Sequence, residues 1–260
     1  MTLPSLIGMV HLAPLPGSSR YAGHVESVIE RALSDALALK RAGFRALMVE
    51  NFGDAPFFAD QVPPITISSM TRVVADIAAA TGLPIGVNVL RNDALSAVSI
   101  AAATGAAYIR VNVLSGMMNT DQGPIVGKAA EVARLRRALH PELLILADVL
   151  VKHSTPPPGL TIEQAGVDTW ERGGADALIV SGSGTGHAPD LDQAARLRKT
   201  IPEASILIGS GVTPSNLAEL AEVANGAIVG SSLKYEGKAE NPVDPSRARE
   251  IVEAAAVIGW

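Results

Sequence analysis

Residues 25–51 read VESVIERALSDALALKRAGFRALMVEN, and the parsing of this one stretch decides the fold. Val25–Ala42 carries apolar side chains at helical spacing. Ala42-Gly43-Phe44 then turns the chain, because a glycine just past a helix accepts the left-handed conformation of a C-cap. Arg45–Asn51 follows at once as a short β-rich run. A helix joined to a strand by so short a turn is half of a β–α repeat.

The same unit recurs along the chain. Eight β-rich runs stand at Ser5–His11, Arg45–Asn51, Pro84–Leu90, Ala107–Val113, Leu143–Val149, Ala177–Gly182, Ile206–Val212 and Ala227–Ser231. Helical spacing occupies Val25–Ala42, Ile67–Ala80, Asp93–Thr104, Val126–Leu139, Ile162–Arg172, Leu191–Thr200, Ser215–Val223 and Pro245–Ile258. Strict alternation implies parallel strands with right-handed crossovers. Eight units without a linker predict an α/β fold, a closed (β/α)8 TIM barrel formed by residues 1–260 as one domain; an open doubly wound sheet is the alternative.

Composition agrees. Of the 260 residues, 48% are apolar, 18% charged and only 3% aromatic, so aliphatic side chains must fill strands buried on both faces. A net charge of −5 with no basic stripe argues against nucleic acid as a partner. Without cysteine there is no disulfide, iron–sulfur cluster or thiolate zinc site. Met1-Thr2-Leu3-Pro4-Ser5 lacks the basic region of a signal peptide, and no apolar run is long enough to span a bilayer. A soluble cytoplasmic protein without membrane insertion is therefore expected, its oligomeric state left open, a homo-oligomer included.

Loop lengths locate a working face. Turns from helix to strand are tight, whereas Leu12–His24, Phe52–Thr66, Leu114–Ile125 and Leu150–Thr161, all running from strand to helix, are long. Side chains alternate along each strand, which gives the polar residues at these strand ends a direction. Glu50 shares a face with Met48, Asn88 with Gly86, Asn112 with Arg110, and Asp148 with Leu146. With His11 and Ser181 they form a polar ring on an apolar barrel, either an internal hydrogen-bond network or, as favoured for the whole set, a ligand site. Asp148, Glu50, Lys152, His153 and His11 are the candidate catalytic residues, and Asn88, Arg110, Asn112 and Ser181 the candidate substrate contacts. Two acids in one mouth should part in protonation, one held charged by Arg110 and the other raised towards neutrality; Asp148 is read as the base, with Lys152 or His153 stabilising developing negative charge. His11, Glu50, Asp148 and His153 could also hold a divalent metal; no other cofactor is expected.

Glycine clusters close the last two strands. Gly209-Ser210-Gly211 and Gly230-Ser231 allow backbone amides to approach an anion, with Thr213 expected to cap a helix that starts near Pro214. Barrels often hold phosphate at this place, so a phosphorylated small molecule is the expected ligand. Gly182-Ser183-Gly184-Thr185-Gly186 is a weaker signal of the same kind. Lys152-His153 precedes Thr155-Pro156-Pro157-Pro158-Gly159, a stiff loop that could hold both side chains over the mouth.

Several of these segments resemble signatures of the BtpA family. They are Met9–Gly17 (MVHLAPLPG), Glu50–Phe57 (ENFGDAPF), Gly86–Asp93 (GVNVLRND), Ile109–Val113 (IRVNV), Ala147–His153 (ADVLVKH) and Ala177–Gly182 (ALIVSG). The loop after His153 departs from the family's pattern, reading STPPPG where a Ser-x-Pro-Leu-like sequence is expected. The resemblance implies a phosphate-binding barrel of the ribulose-phosphate-binding type, named for a role in photosystem I biogenesis, and it supplies no established catalytic residues. Three functions follow: an enzyme isomerising, epimerising or cleaving a phosphorylated sugar or nucleotide-like metabolite, a non-catalytic assembly factor, or a metabolite sensor. The enzyme is preferred, because a barrel that only bound partners has little use for so many inward ionisable groups.

Overall fold

The computed structural model describes residues 3–182 and 190–260. Eight parallel strands close into a TIM barrel: β1 (Leu6–His11), β2 (Leu47–Glu50), β3 (Ile85–Asn88), β4 (Tyr108–Val111), β5 (Leu144–Asp148), β6 (Ala177–Val180), β7 (Ile206–Ile208) and β8 (Gly226–Val229). Each strand pairs with the next in sequence, and β8 closes the ring by pairing with β1 through Leu6↔Ala227, Ile7↔Ile228 and Gly8↔Val229. Helices α1 (Val25–Ala42), α2 (Pro64–Thr81), α3 (Ala94–Thr104), α4 (Ala129–Leu139), α5 (Ile162–Val167), α6 (Leu191–Thr200), α7 (Leu217–Ala221) and α8 (Pro245–Val257) follow the strands in turn. No helix among the described residues is long and apolar enough to cross a membrane.

Strand alternation produces two separate cores. Ile7, Met9, Met48, Tyr108, Leu146, Ile179, Leu207 and Ile228 point inwards and fill the barrel. Their neighbours Val10, Leu47, Val49, Val87, Ile109, Ile145, Leu178, Val180, Ile208 and Val229 point outwards against the helices. Tyr108 is the largest inward side chain and needs a gap opposite it: its ring lies over Gly86, where an added Cβ would sit 2.1 Å from the tyrosine Cε2. Its hydroxyl donates to the Leu47 carbonyl at 2.7 Å, so the ring cannot swing away without losing a buried hydrogen bond. We therefore expect Gly86→Ala to overpack the barrel and lower stability by roughly 1–3 kcal/mol in a denaturant titration.

The end of the chain is locked to its beginning. Lys234, fully buried after β8, donates to Asp35 Oδ2 on α1 at 2.8 Å, and the Val243 amide donates to Asp35 Oδ1 at 2.7 Å. Burial lowers the lysine's pKa, which Asp35 partly restores.

Two expected elements are redrawn. The helix read from Val126 begins at Ala129, because Gly123–Val126 pairs antiparallel with Met117–Thr120 as a hairpin inside the long loop after β4. Ser154–Thr155, from the loop after β5, adds a third short strand to it. The helix expected near Pro214 starts only at Leu217 and lasts one turn. Thr213 does not cap it; instead the Asn216 side chain accepts from the Thr213 amide and donates to the Gly211 carbonyl, closing a turn ahead of the helix. Residues 183–186 of the glycine run after β6 lie outside the described residues.

Candidate active site

Strand register brings the polar strand ends together. His11 stands opposite Glu50 across β1 and β2, and Glu50 opposite Asn88 across β2 and β3. Arg110, Asn112, Asp148 and Ser181 complete the ring, and all seven side chains are buried. Asp148 accepts four hydrogen bonds: from Arg110 Nε at 2.8 Å and Nη2 at 2.7 Å, from Asn112 Nδ2 at 3.1 Å, and from Ser181 Oγ at 3.1 Å. A carboxylate has about four lone-pair sites, so this one is saturated. Burial alone would lower the pKa of Arg110, but the charge and hydrogen bonds of Asp148 outweigh it and hold the guanidinium charged. Asn88 donates to the Arg110 carbonyl at 3.1 Å and to Asn112 Oδ1 at 3.3 Å, while among the described residues its own Oδ1 has no partner. Asn88 lines neither the glycine recess nor the cavity that opens beside it, so the expected substrate contact is not seen there.

Glu50 and His11 form a second couple with a different character. His11 Nδ1 lies 3.1 Å from the Ala239 carbonyl and must carry the proton to donate to it, which turns Nε2 towards Glu50 Oε1 at 3.7 Å. The His11 ring stacks on Phe52 with centroids 4.7 Å apart. Burial, then the charge of Lys234, keeps its pKa well below the usual range, so the imidazole is neutral. Burial also raises Glu50, against the pull of Arg110 and Lys152. The mouth thus holds one carboxylate engaged in an ion pair with Arg110 and one whose pKa burial raises above the usual carboxylate range.

The loop after β5 brings a cation to this couple. Leu150 and His153 are left-handed at φ 53° and 57°, a conformation that costs a non-glycine residue about 1–2 kcal/mol. Lys152 lies between them, with Nζ 3.5 Å from Ser210 Oγ, and burial followed by repulsion from Arg110 lowers its pKa to about 8. Below pH 8 the ammonium attracts an anion; above it the amine does not. Binding of inorganic phosphate should therefore weaken as pH rises from 7 to 9, and Lys152→Met should bind about tenfold more weakly at pH 7 while losing much of that slope. Calorimetry across this range checks both effects.

Gly209, Ser210, Gly211, Gly230 and Ser231 line a recess beside Lys152 and His11. Gly209 contributes space rather than a donor. Its amide is spent on the Val180 carbonyl, and a Cβ there would lie 2.5 Å from Ile179 Cγ2 and 2.8 Å from Ser181 Oγ. A Cβ on Gly230 would point at His11 Cε1, 3.3 Å away. Past Glu50, Phe52, Arg110 and Lys152 the recess opens into a cavity of about 270 Å³ walled by Phe57, Leu90, Arg91 and Asn112, with Arg20 and the exposed His153 at its rim. His11, Glu50, Asp148 and His153 do not come together as a metal centre: among the described residues no three His, Asp or Glu side chains converge on one point, and Arg110 already occupies Asp148.

Sequence reasoning did not select Arg91, Phe52 or Arg20. Arg91 is the third residue past β3, beyond the alternation that betrayed the strand residues. Its signal lay in the loop, where the Asn51 side chain accepts from the Leu90 amide at 2.7 Å and Asp93 caps α3 by accepting from the Ser96 amide at 3.0 Å.

The model of the BtpA family matches residues 2–257. An uncharacterised protein of Thermococcus kodakarensis is 51% identical over 252 residues, covering 96% of this chain and 94% of its own. The photosystem I biogenesis protein BtpA of Synechocystis is 46% identical, covering 96% and 88%. Among solved structures, thiamine phosphate pyrophosphorylase from Pyrococcus furiosus superposes with a TM-score of 0.60 at 14% identity, covering 98% of this chain and 97% of its own. Phosphoribosyl anthranilate isomerase from Thermus thermophilus does so with a TM-score of 0.59 at 14% identity, covering 98% and 100%. At such identities the likeness is one of fold.

Proposed function

The chain belongs to the BtpA family, and from that membership and the make-up of its barrel mouth we propose that it is an enzyme acting on a phosphorylated sugar or nucleotide-like metabolite, as an isomerase, epimerase or lyase. One observation carries this reading. A chain of net charge −5 gathers Arg91, Arg110 and Lys152 at one cavity, against Asp148 and a Glu50 whose charge is suppressed by burial. Such an excess of cations, two buried and Lys152 half-buried, is unfavourable until an anion arrives. The glycine recess gives that anion a seat beside Lys152, and the fold neighbours thiamine phosphate pyrophosphorylase and phosphoribosyl anthranilate isomerase are named for phosphorylated compounds.

The division of labour follows from the hydrogen bonds. Asp148 is a positioning residue that fixes Arg110, and Glu50 is the general base, exchanging a proton with a substrate carbon or hydroxyl. Lys152, still charged at neutral pH, stabilises the negative charge that develops. The recess between Ser210 and Ser231 grips the phosphate. Native mass spectrometry of freshly purified protein tests the reading. The expected result is a co-purifying phosphorylated compound which, returned to the protein in heavy water, gains deuterium or is converted. A bound compound without phosphorus, or a phosphorylated one returned unchanged, would overturn it.

A further inference from the structure

Buried cations in this fold come in two kinds. Arg110 meets Asp148 at 2.7 Å and Lys234 meets Asp35 at 2.8 Å, each a compensated pair. Arg91 is only 5% exposed, yet among the described residues no carboxylate lies within 4.0 Å of it. Its backbone is held firmly, with its own amide donating to the Phe58 carbonyl at 3.1 Å. At the far end of the side chain, Nη2 donates to the Lys152 carbonyl at 2.6 Å. Arg91 lines the 270 Å³ cavity but not the glycine recess, whereas Glu50 and Lys152 line both. Burial lowers the pKa of this guanidinium, and Asp148 and Glu50, acting from beyond 4.0 Å, only partly restore it, a cost that a fold tolerates where a ligand supplies a closer charge.

We propose that Arg91 is a second anion site, and that the substrate carries a carboxylate at the end remote from its phosphate. The inference rests on the reading of the mouth as a substrate site and adds to it the class of substrate. Recess and cavity share Glu50, Phe52, Arg110 and Lys152, so one molecule lying across both places its middle carbons at the proposed base. A carboxylate suits the outer end better than a second phosphate. The cavity has no glycine in its lining, and the planar fork of the Arg91 guanidinium matches two coplanar oxygens. Arg20 at the rim adds a further positive charge.

Two six-carbon esters differing only at carbon 1 test this: 6-phosphogluconate, with a carboxylate there, and glucitol 6-phosphate, with a hydroxymethyl group. In calorimetry the native chain is expected to bind 6-phosphogluconate at least tenfold more tightly, and Arg91→Gln to bind both at the glucitol 6-phosphate level. Gluconate, which lacks phosphate, should shift the Arg91 Nε–H resonance of the native chain. Equal affinity of the native chain for the two esters, or a preference that survives in Arg91→Gln, overturns the proposal, and the native comparison stands whether or not the variant folds. Failure of the phosphate reading looks different. Glucitol 6-phosphate would then bind no more weakly to Gly230→Val than to the native chain, while gluconate would still move the Arg91 signal.

Discussion

Glu50→Gln is expected to bind the phosphorylated ligand as tightly as the native chain and to turn it over about a thousandfold more slowly, the middle of the range for loss of a general base. Glutamine fills the same volume and cannot accept a proton from carbon. The choice of Glu50 over Asp148 comes from hydrogen bonding: Asp148 has every lone pair engaged, whereas Glu50 faces His11 at 3.7 Å and the open cavity. The pH profile supplies a second check. Glu50 must lose its proton to act, so the rate rises with pH through its elevated pKa. Lys152 must keep its proton to stabilise charge, so the rate falls as pH passes about 8. Glu50→Gln should abolish the acidic limb of this bell. A variant as fast as the native chain on the same substrate would remove Glu50 from the mechanism.

Arg110→Met should be the most destabilising of the mouth substitutions, by about 3–5 kcal/mol, because it leaves Asp148 as a buried charge without a partner. For a chain of this size that is a fall in melting temperature of roughly 6–20 °C. Adding Asp148→Leu to the same chain removes the orphaned charge and should restore much of the loss while leaving the protein inactive. Differential scanning calorimetry on the two single variants and the double variant gives the coupling directly. If the effects simply add, the pair does not form the buried bridge seen between Arg110 Nη2 and Asp148 Oδ1.

Much of this was legible in the residues, for definite reasons. Period-two alternation along β2, β4 and β5 assigned Glu50, Arg110 and Asp148 to the interior, because parallel strands leave a side chain only two directions. Helix ends were less legible where short-range chemistry competes. Val126 and Ile125 fit a helical stripe as well as a strand, and only pairing with Met117 and Met118 decides for the hairpin. Thr213-Pro214 is a good helix start by itself, but the Asn216 side chain reaches back and makes a turn instead. Arg91 gave no signal of alternation because a loop has no period to reveal its direction, and what singles it out is that among the described residues no carboxylate lies within 4.0 Å of it.

The lock between Asp35 and Lys234 has a consequence for the protein's birth. The two partners are 199 residues apart, and synthesis at about 5–20 residues per second separates their emergence from the ribosome by roughly 10–40 s. Throughout that interval Asp35, on the first helix, lacks the ammonium it will be buried with, and β1 lacks the eighth strand that seals it. Nascent chains are therefore expected to stay protease-sensitive until residue 243, whose amide completes the lock, has cleared the exit tunnel. Ribosome-arrested chains cut back to residue 230 that already resist protease would show that the barrel can set before its clasp arrives.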